Sequence, residues 1–265
     1  MSYVLTDSAA LFGRHLTHFK RLPQQLISVT LMPIMFVFLF GYLFGSSMVV
    51  PDGKYLDYIM AGILAQMMLA NAINTGVGVA DDLNNGLVDR FRSLPMTQFS
   101  VLLGRTAADL VLNIIALLFM VLVGLLMGWR PHGSALSTIG GVALLLLLGY
   151  TMTWLGCLIG LTLRHPQVIN SVAMAVTMPL AFLSAGFFPI NNLPGWVSAI
   201  ASWNPVSAIV TGVRELWGNP VGYGDDPSWP LRHPVPVSLI TLIVLLLIIV
   251  PLATRAYRSA AAKTT

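Results

Sequence analysis

Six long apolar stretches constrain the fold of this chain more than any other feature of its sequence. Each approaches or exceeds the roughly 17 to 25 residues that a helix needs to cross the hydrocarbon core of a bilayer. They run approximately from Leu26 to Phe44, Tyr58 to Ala80, Val101 to Met127, Leu136 to Leu163, Val168 to Phe188 and Val235 to Ala253. Because a lipid-exposed backbone must satisfy its own hydrogen bonds, the sequence predicts an all-α polytopic membrane protein with six transmembrane helices.

The composition supports a membrane location for the whole chain. Of its residues, 56% are hydrophobic and 9% are charged, whereas an ordinary soluble domain has roughly 25% charged residues. Too few polar groups remain to cover a water-soluble globule, and no second soluble domain is apparent, so residues 1–265 are predicted to form a single transmembrane domain. We interpret the net charge of +4 as a topology signal, and we predict no nucleic-acid partner.

The distribution of basic residues predicts the orientation of the six spans. If both termini lie in the cytoplasm, ten of the 14 Lys and Arg residues are inside and four are outside, namely Lys54, Arg130, Arg214 and Arg232. An excess of basic residues is typical of cytoplasmic loops, and tryptophan is enriched at membrane interfaces. Five of the six tryptophans fall at or beyond the outer interface: Trp129, Trp196, Trp203, Trp217 and Trp229. We therefore predict a multi-pass protein with both termini in the cytoplasm.

Two segments outside the spans have helical patterns of their own. In residues 1–25, apolar residues recur at steps of four and three from Leu5 to Phe19, which predicts an amphipathic interfacial helix, with a soluble helix packed on a neighbour as the alternative. Residues 189–234 are apolar but contain seven prolines. That combination predicts short helices that partly re-enter the outer leaflet between the fifth and sixth spans.

The loop at residues 81–97 is the most charged part of the chain between two apolar runs. Leu83, Leu87, Phe91 and Leu94 share one face of a helix of about three turns, and Pro95 ends it before the third span. Asp89, Arg90 and Arg92 point elsewhere and are free to pair with another protein. The pattern favours a docking surface for a soluble partner over a loop that serves topology alone.

Polar residues within the predicted spans form two stripes that are candidates for a substrate path. One stripe on the second span contains Met67, Asn71 and Asn74, and the other on the fifth span contains Asn170, Met174, Thr177, Ser184 and Phe188. Interhelical hydrogen bonds and small-residue packing would produce the same pattern, so the residues alone leave both interpretations open. Arg105 and Asp109 lie one turn apart in the third span and are predicted to form a structural ion pair.

The sequence offers little chemistry of its own. It contains no phosphate-binding G-x-x-x-x-G-K-[ST] motif, since its only Gly-Lys pair is followed by Tyr55. The five histidines show no metal-ligand spacing, and no nucleophile stands with a base. We predict no catalytic residue, no metal site and no cofactor bound by this chain. A transporter driven by an ion gradient would need coupling carboxylates and repeats that are not clear here, and an intramembrane lipid-modifying enzyme is a further alternative.

Two motifs at matching topological positions resemble a known family. The first is the run from Leu83 to Pro95, LNNGLVDRFRSLP, followed by Arg105. The second comprises Gly186-Phe187-Phe188-Pro189, Leu193-Pro194, Trp196, Asn204-Pro205 and Arg214-Glu215. Together with the order of the six spans, they resemble the membrane subunits of ABC-2 type transporters, especially the daunorubicin-resistance permease group, over the whole chain.

The resemblance implies a division of labour between subunits. In that family the loop after the second span holds a coupling helix that contacts the ATP-binding subunit, and the matching residues are Gly86, Leu87, Asp89, Arg90, Phe91, Arg92 and Leu94. Two copies of that separate subunit would bind ATP and Mg, and this chain would pair with a copy of itself or a close relative. The family's second and fifth spans border the cavity. The implied function is export of a hydrophobic drug, lipid or glycolipid across a bacterial cytoplasmic membrane, including antibiotic efflux.

Overall fold

The computed structural model describes residues 31, 34–44, 53–85, 98–222 and 227–262. The predicted interfacial helix at residues 1–25 and all seven predicted coupling residues lie outside these ranges. Eight α-helices follow one another in the described residues after a π-helical turn at Leu39–Phe44: α1 (Tyr55–Asn84), α2 (Gln98–Leu126), α3 (Ala135–Leu163), α4 (Pro166–Phe182), α5 (Gly195–Trp203), α6 (Pro205–Trp217), α7 (Trp229–Arg232) and α8 (Pro234–Ala262). A 3-10 turn at Ile190–Asn192 precedes α5.

The long helices form one bundle in which consecutive helices run in opposite directions. At one end of α1, Arg105 of α2 pairs with Asp82. Towards the other end, the side chain of Met60 lies against Gly124 of α2, close to Trp129. We call these the Asp82 end and the Trp129 end of the bundle.

Helix α1 is the centre of the bundle. In its most apolar window 78% of the residues are buried, compared with 28% in α2 and 17% in α8. Small residues let α1 and α3 approach closely, because an added Cβ atom at Gly156 would lie 2.6 Å from the carbonyl oxygen of Ala72. The outer helices α2 and α8 accordingly keep broad apolar faces on the surface of the bundle, as a lipid environment requires.

Within the part of the chain that the structure describes, four helices are long and apolar enough to cross a membrane: Tyr55–Asn84, Leu102–Leu126, Ala135–Leu163 and Pro234–Ser259. Helix α4, which covers most of the predicted fifth span, has 17 residues. Of the predicted first span, the structure describes Leu31 and residues 34–44, of which 34–44 are helical. An all-helical membrane protein is therefore confirmed, while the count of six spans stays a prediction.

Helix α4 ends at Phe182, several residues before the predicted limit at Phe188. It contains Pro179, and the hydroxyl of Ser184 donates to the carbonyl of Ala181 at 2.5 Å while accepting from the N–H of Gly186 at 3.1 Å. The hydroxyl thus satisfies backbone groups that the helix no longer pairs. The chain after α4 turns back towards the bundle.

The segment predicted at residues 189–234 contains short helices, as expected. Asn204 begins α6, since its side chain accepts from the N–H of Val206 at 2.9 Å, and Gly218 ends α6 with a positive φ of 64°. Helix α6 is buried from Val206 to Arg214 against α1, α3 and α8. Helix α5 differs, because Trp196, Ile200 and Trp203 leave one of its faces exposed. Re-entry of these helices into a leaflet stays a prediction.

Candidate transport cavity and buried charged clusters

A cavity of about 340 Å³ lies between α1 and α4. Its volume lies at the lower end of the range for small-molecule sites. The lining residues come from one face of each helix: Gln66, Ala70, Ile73, Asn170, Ser171, Met174, Thr177 and Met178. The cavity is thus bordered by the helices that correspond to the predicted second and fifth spans.

The structure brings together only part of the predicted substrate path. On α4, three predicted residues line the cavity, namely Asn170, Met174 and Thr177. On α1, Met67 and Asn71 are buried in the core and Asn74 is exposed. The cavity is lined instead by a different face of α1, with Gln66, Ala70 and Ile73. From the end of α4 onwards, Ser184 is buried in the turn and Phe188 packs against the core. A path role for these other residues stays a prediction.

The chemistry of the cavity is neutral and mixed. Gln66, Asn170, Ser171 and Thr177 supply uncharged hydrogen-bonding groups, and the other four lining residues are apolar. The Oε1 atom of Gln66 is buried and has no hydrogen-bond partner among the described residues. A ligand donor would remove the cost of leaving that acceptor unpaired. Methionine side chains are flexible and adapt to apolar ligands of different shape.

A charged cluster joins α1 and α2 at the Asp82 end. Arg105 forms an ion pair with Asp82, and the hydroxyl of Thr75 donates to Oδ2 of Asp109 at 3.0 Å. The charge of Asp109 also acts on Arg105. The predicted pairing of Arg105 with Asp109 stays a prediction, and the structure adds Asp82 as a carboxylate that the sequence analysis did not assign to Arg105.

This cluster lies beside the segment predicted to couple the chain to a partner. Asp82 is near the last residue of α1, and Arg105 lies two turns into α2, so their ion pair connects the two helices that flank residues 86–97. The guanidinium of Arg105 lies against Gly78, where a larger residue would fit only if the guanidinium moved. The contact therefore fixes the spacing of α1 and α2 just before the chain leaves the bundle.

Arg214 of α6 is a fully buried cation, which the sequence did not predict. Its side chain has no exposed surface, and its guanidinium carbon lies 3.5 Å from the centre of the Tyr58 ring. Its Nε atom donates to the carbonyl of Tyr58 at 2.8 Å, Nη1 to that of Ala185 at 2.7 Å, and Nη2 to that of Gly186 at 2.9 Å. The sequence does hold a signal, because Val210 and Trp217, four residues before and three after Arg214, share its helix face.

Comparison with known proteins identifies the class of this bundle. The family model for ABC-2 type transporters matches residues 7–216. The chain belongs to the ABC-2 type transporter family, and the predicted resemblance is confirmed.

The similar proteins are permeases. The chain is 32% identical over 246 residues to a daunorubicin resistance ABC transporter permease protein of Streptomyces coeruleorubidus, covering 93% of this chain and 84% of the relative. It is 26% identical over 220 residues to a putative transport permease of the red alga Porphyra purpurea, with coverages of 82% and 75%. A doxorubicin resistance ABC transporter permease of Mycobacterium tuberculosis is 26% identical over 190 residues, with coverages of 72% and 66%.

Proposed function

We propose that this chain is the permease subunit of an ATP-driven exporter that moves a hydrophobic or amphipathic compound outward across the bacterial cytoplasmic membrane. The observation that most directly supports this proposal is the cavity between α1 and α4, because uncharged polar groups and methionines line it in a bundle of this family. A small ion would require ionisable partners, and none of the lining residues is ionisable. Anthracycline resistance in the names of two relatives makes a planar drug the first cargo to test.

The energy would come from a separate ATP-binding subunit, present in two copies that hold ATP and Mg. Residues 86–94 would contact that subunit in the cytoplasm, where both termini of this chain would also lie. A second membrane subunit, a copy of this chain, would complete the transporter. Helix α4 supports that arrangement, because it presents exposed apolar side chains beside the cavity, among them Val168, Val172 and Val176.

The charged cluster suggests how a movement of the coupling segment reaches the cavity. A push on residues 86–97 would act on the adjoining ends of α1 and α2, which the Arg105 and Asp82 ion pair holds together. Helix α1 then continues to the cavity wall at Ile73, Ala70 and Gln66. ATP binding would in this way change the separation of α1 and α4.

Reconstitution with an ATP-binding subunit tests the proposed function. The two subunits in proteoliposomes should take up daunorubicin only when ATP is supplied on the side of the coupling segment. We expect the drug to stimulate ATP hydrolysis at the same time. The absence of any stable complex with an ATP-binding subunit encoded beside this chain would contradict the proposal.

A change in the coupling segment should separate transport from membrane insertion. We expect the double variant Arg90→Ala with Phe91→Ala to insert normally and to lose at least about 90% of ATP-dependent transport, because the contact with the ATP-binding subunit is weakened. Arg255→Ala is the matched control, since Arg255 is an exposed basic residue at the same end of the bundle. Wild-type transport by the correctly inserted double variant would refute the assignment.

A bulky residue in the cavity should reduce transport of a bulky cargo. Ser171→Phe would place a ring in the cavity, and we expect daunorubicin transport to fall about tenfold. Val244→Phe on α8 is the control, because Val244 is exposed and does not line the cavity. Equal transport by the two variants in vesicles would show that this cavity is not on the path.

A further inference from the structure

Arg214 connects three parts of the chain at the Trp129 end of the bundle. Its guanidinium belongs to α6, and its acceptors are the carbonyl of Tyr58 in α1 and the carbonyls of Ala185 and Gly186 after α4. The tyrosines of α1 strengthen the same connection. The hydroxyl of Tyr58 donates to the carbonyl of Ala185 at 2.8 Å, and that of Tyr55 to the carbonyl of Phe187 at 3.1 Å. We call these residues the Arg214 cluster.

The acceptors in the Arg214 cluster are neutral. Among the described residues, the hydrogen bonds of the guanidinium go to backbone carbonyls, and the neighbouring Glu215 is exposed. Breaking a buried ion pair leaves an uncompensated anion, which is costly. Separation of this cluster leaves no anion behind, and water can hydrate both the neutral carbonyls and the freed donors of the guanidinium. The bonds are charge-assisted and short enough to hold the elements together, yet they can be exchanged for water when the elements move apart.

The Arg214 cluster closes the gap between the two elements that border the cavity. Tyr58 lies about 12 Å along α1 from the lining residue Gln66, at 1.5 Å per residue. On the other side, Ala185 follows closely after the lining residue Met178. The backbones are in direct contact here, since a Cβ atom at Gly62 would collide with the carbonyl oxygen of Gly186. This contact therefore bounds the cavity at the Trp129 end, whereas Asn170, Ser171 and Met174 leave it exposed along the side of α4.

We propose that Arg214 is a positioning residue that keeps the cavity closed at the Trp129 end, and that its bonds to residues 185 and 186 break when the cavity opens there. The orientation of that end towards the outside, and a role in cargo release, rest on the proposed function. The closure itself rests on the contacts of Arg214, Tyr58 and Tyr55.

Thiol labelling from outside the cell tests this proposal without any cargo or ATP-binding subunit. The sole cysteine, Cys157, is buried and would be changed to alanine. Thr177→Cys then places a reporter in the cavity, and a membrane-impermeant methanethiosulfonate is added to intact cells. We expect Arg214→Lys to raise the labelling rate about tenfold, because lysine cannot reproduce the three divergent bonds. Tyr58→Phe, which removes one hydroxyl bond, should raise it about threefold.

Glu215→Gln changes the exposed neighbour of Arg214 and should leave labelling unchanged. Equal labelling of the parent and Tyr58→Phe proteins would overturn the proposal, even if Arg214→Lys failed to insert. Faster labelling only from the cytoplasmic side of inverted vesicles would also overturn it. The variants could be labelled faster from outside while the chain transports nothing in the presence of an ATP-binding subunit. That result would support the closure and contradict the proposed export function.

Discussion

Changing Gly156 to alanine is expected to destabilise the helix bundle by about 1 to 3 kcal/mol, the usual cost of overpacking a well-packed interior. The new Cβ atom would lie 2.6 Å from the carbonyl oxygen of Ala72 and 2.9 Å from Cβ of Thr75. Both atoms belong to α1, which is enclosed by its neighbours and has little room to shift. The expected result is a lower midpoint in thermal unfolding of the detergent-solubilised protein, and a smaller yield in the membrane.

Gly140→Ala on the same helix is the matched control for this prediction. A Cβ atom at Gly140 would meet only the side chain of Leu216, at 3.7 Å, which is an ordinary contact. Alanine is the better helix former by nearly 1 kcal/mol, so Gly140→Ala should be neutral or stabilising. Equal midpoints for the two variants would show that α1 and α3 are not packed as closely as the structure has them.

Removal of Arg105 is expected to cost about 2 kcal/mol of stability and most of the ATP-dependent transport. Arg105→Gln would leave Asp82 without the cation that pairs with it between α1 and α2. Loss of one partner of a buried ion pair typically costs about 3 to 5 kcal/mol. The side chains here are 18% and 35% exposed, so solvent screening lowers the cost. We expect the rate of ATP-dependent transport to fall further, because the ends of α1 and α2 would no longer move together.

A double-mutant cycle separates this ion pair from general damage. Asp82→Asn and Arg105→Gln should be less harmful together than the sum of the single changes, by about 1 kcal/mol, since residues in contact are not additive. Arg255→Gln, at an exposed position of the same end, should have no effect on the thermal midpoint. Additive losses in the double variant would contradict a direct interaction between Asp82 and Arg105.

The length and spacing of apolar runs were sufficient to predict the long helices. Helices α1, α2, α3 and α8 each contain most of a predicted span, because only a helix satisfies the backbone of an apolar run in lipid. The end of α4 was less predictable. The composition stays apolar through Phe188, but the chain leaves the helix after Phe182 so that the carbonyls of residues 185 and 186 can accept from Arg214.

The polar stripe predicted on the fifth span, now α4, located the cavity better than the stripe predicted on the second span, now α1. Helix α4 is exposed on much of its surface, so its polar residues Asn170 and Thr177 mark the face that borders the cavity. Helix α1 is surrounded by other helices, and its polar residues are used for packing on several sides. Asn71, for example, lies against α3 beside Gly149. The partner of Arg105 and the burial of Arg214 likewise depend on contacts between distant residues, which periodicity does not reveal.

Pro179 gives the wall of the cavity a built-in point of bending. Proline has no N–H group, so the carbonyl of Ala175, one turn earlier in α4, lacks its usual helical donor. That weakened turn also contains Thr177 and Met178, which line the cavity. Helix α4 can therefore bend near its end at low energetic cost. Under the proposed function, this bending would let the cavity take cargo molecules of different width while the tightly packed contact between α1 and α3 stays intact.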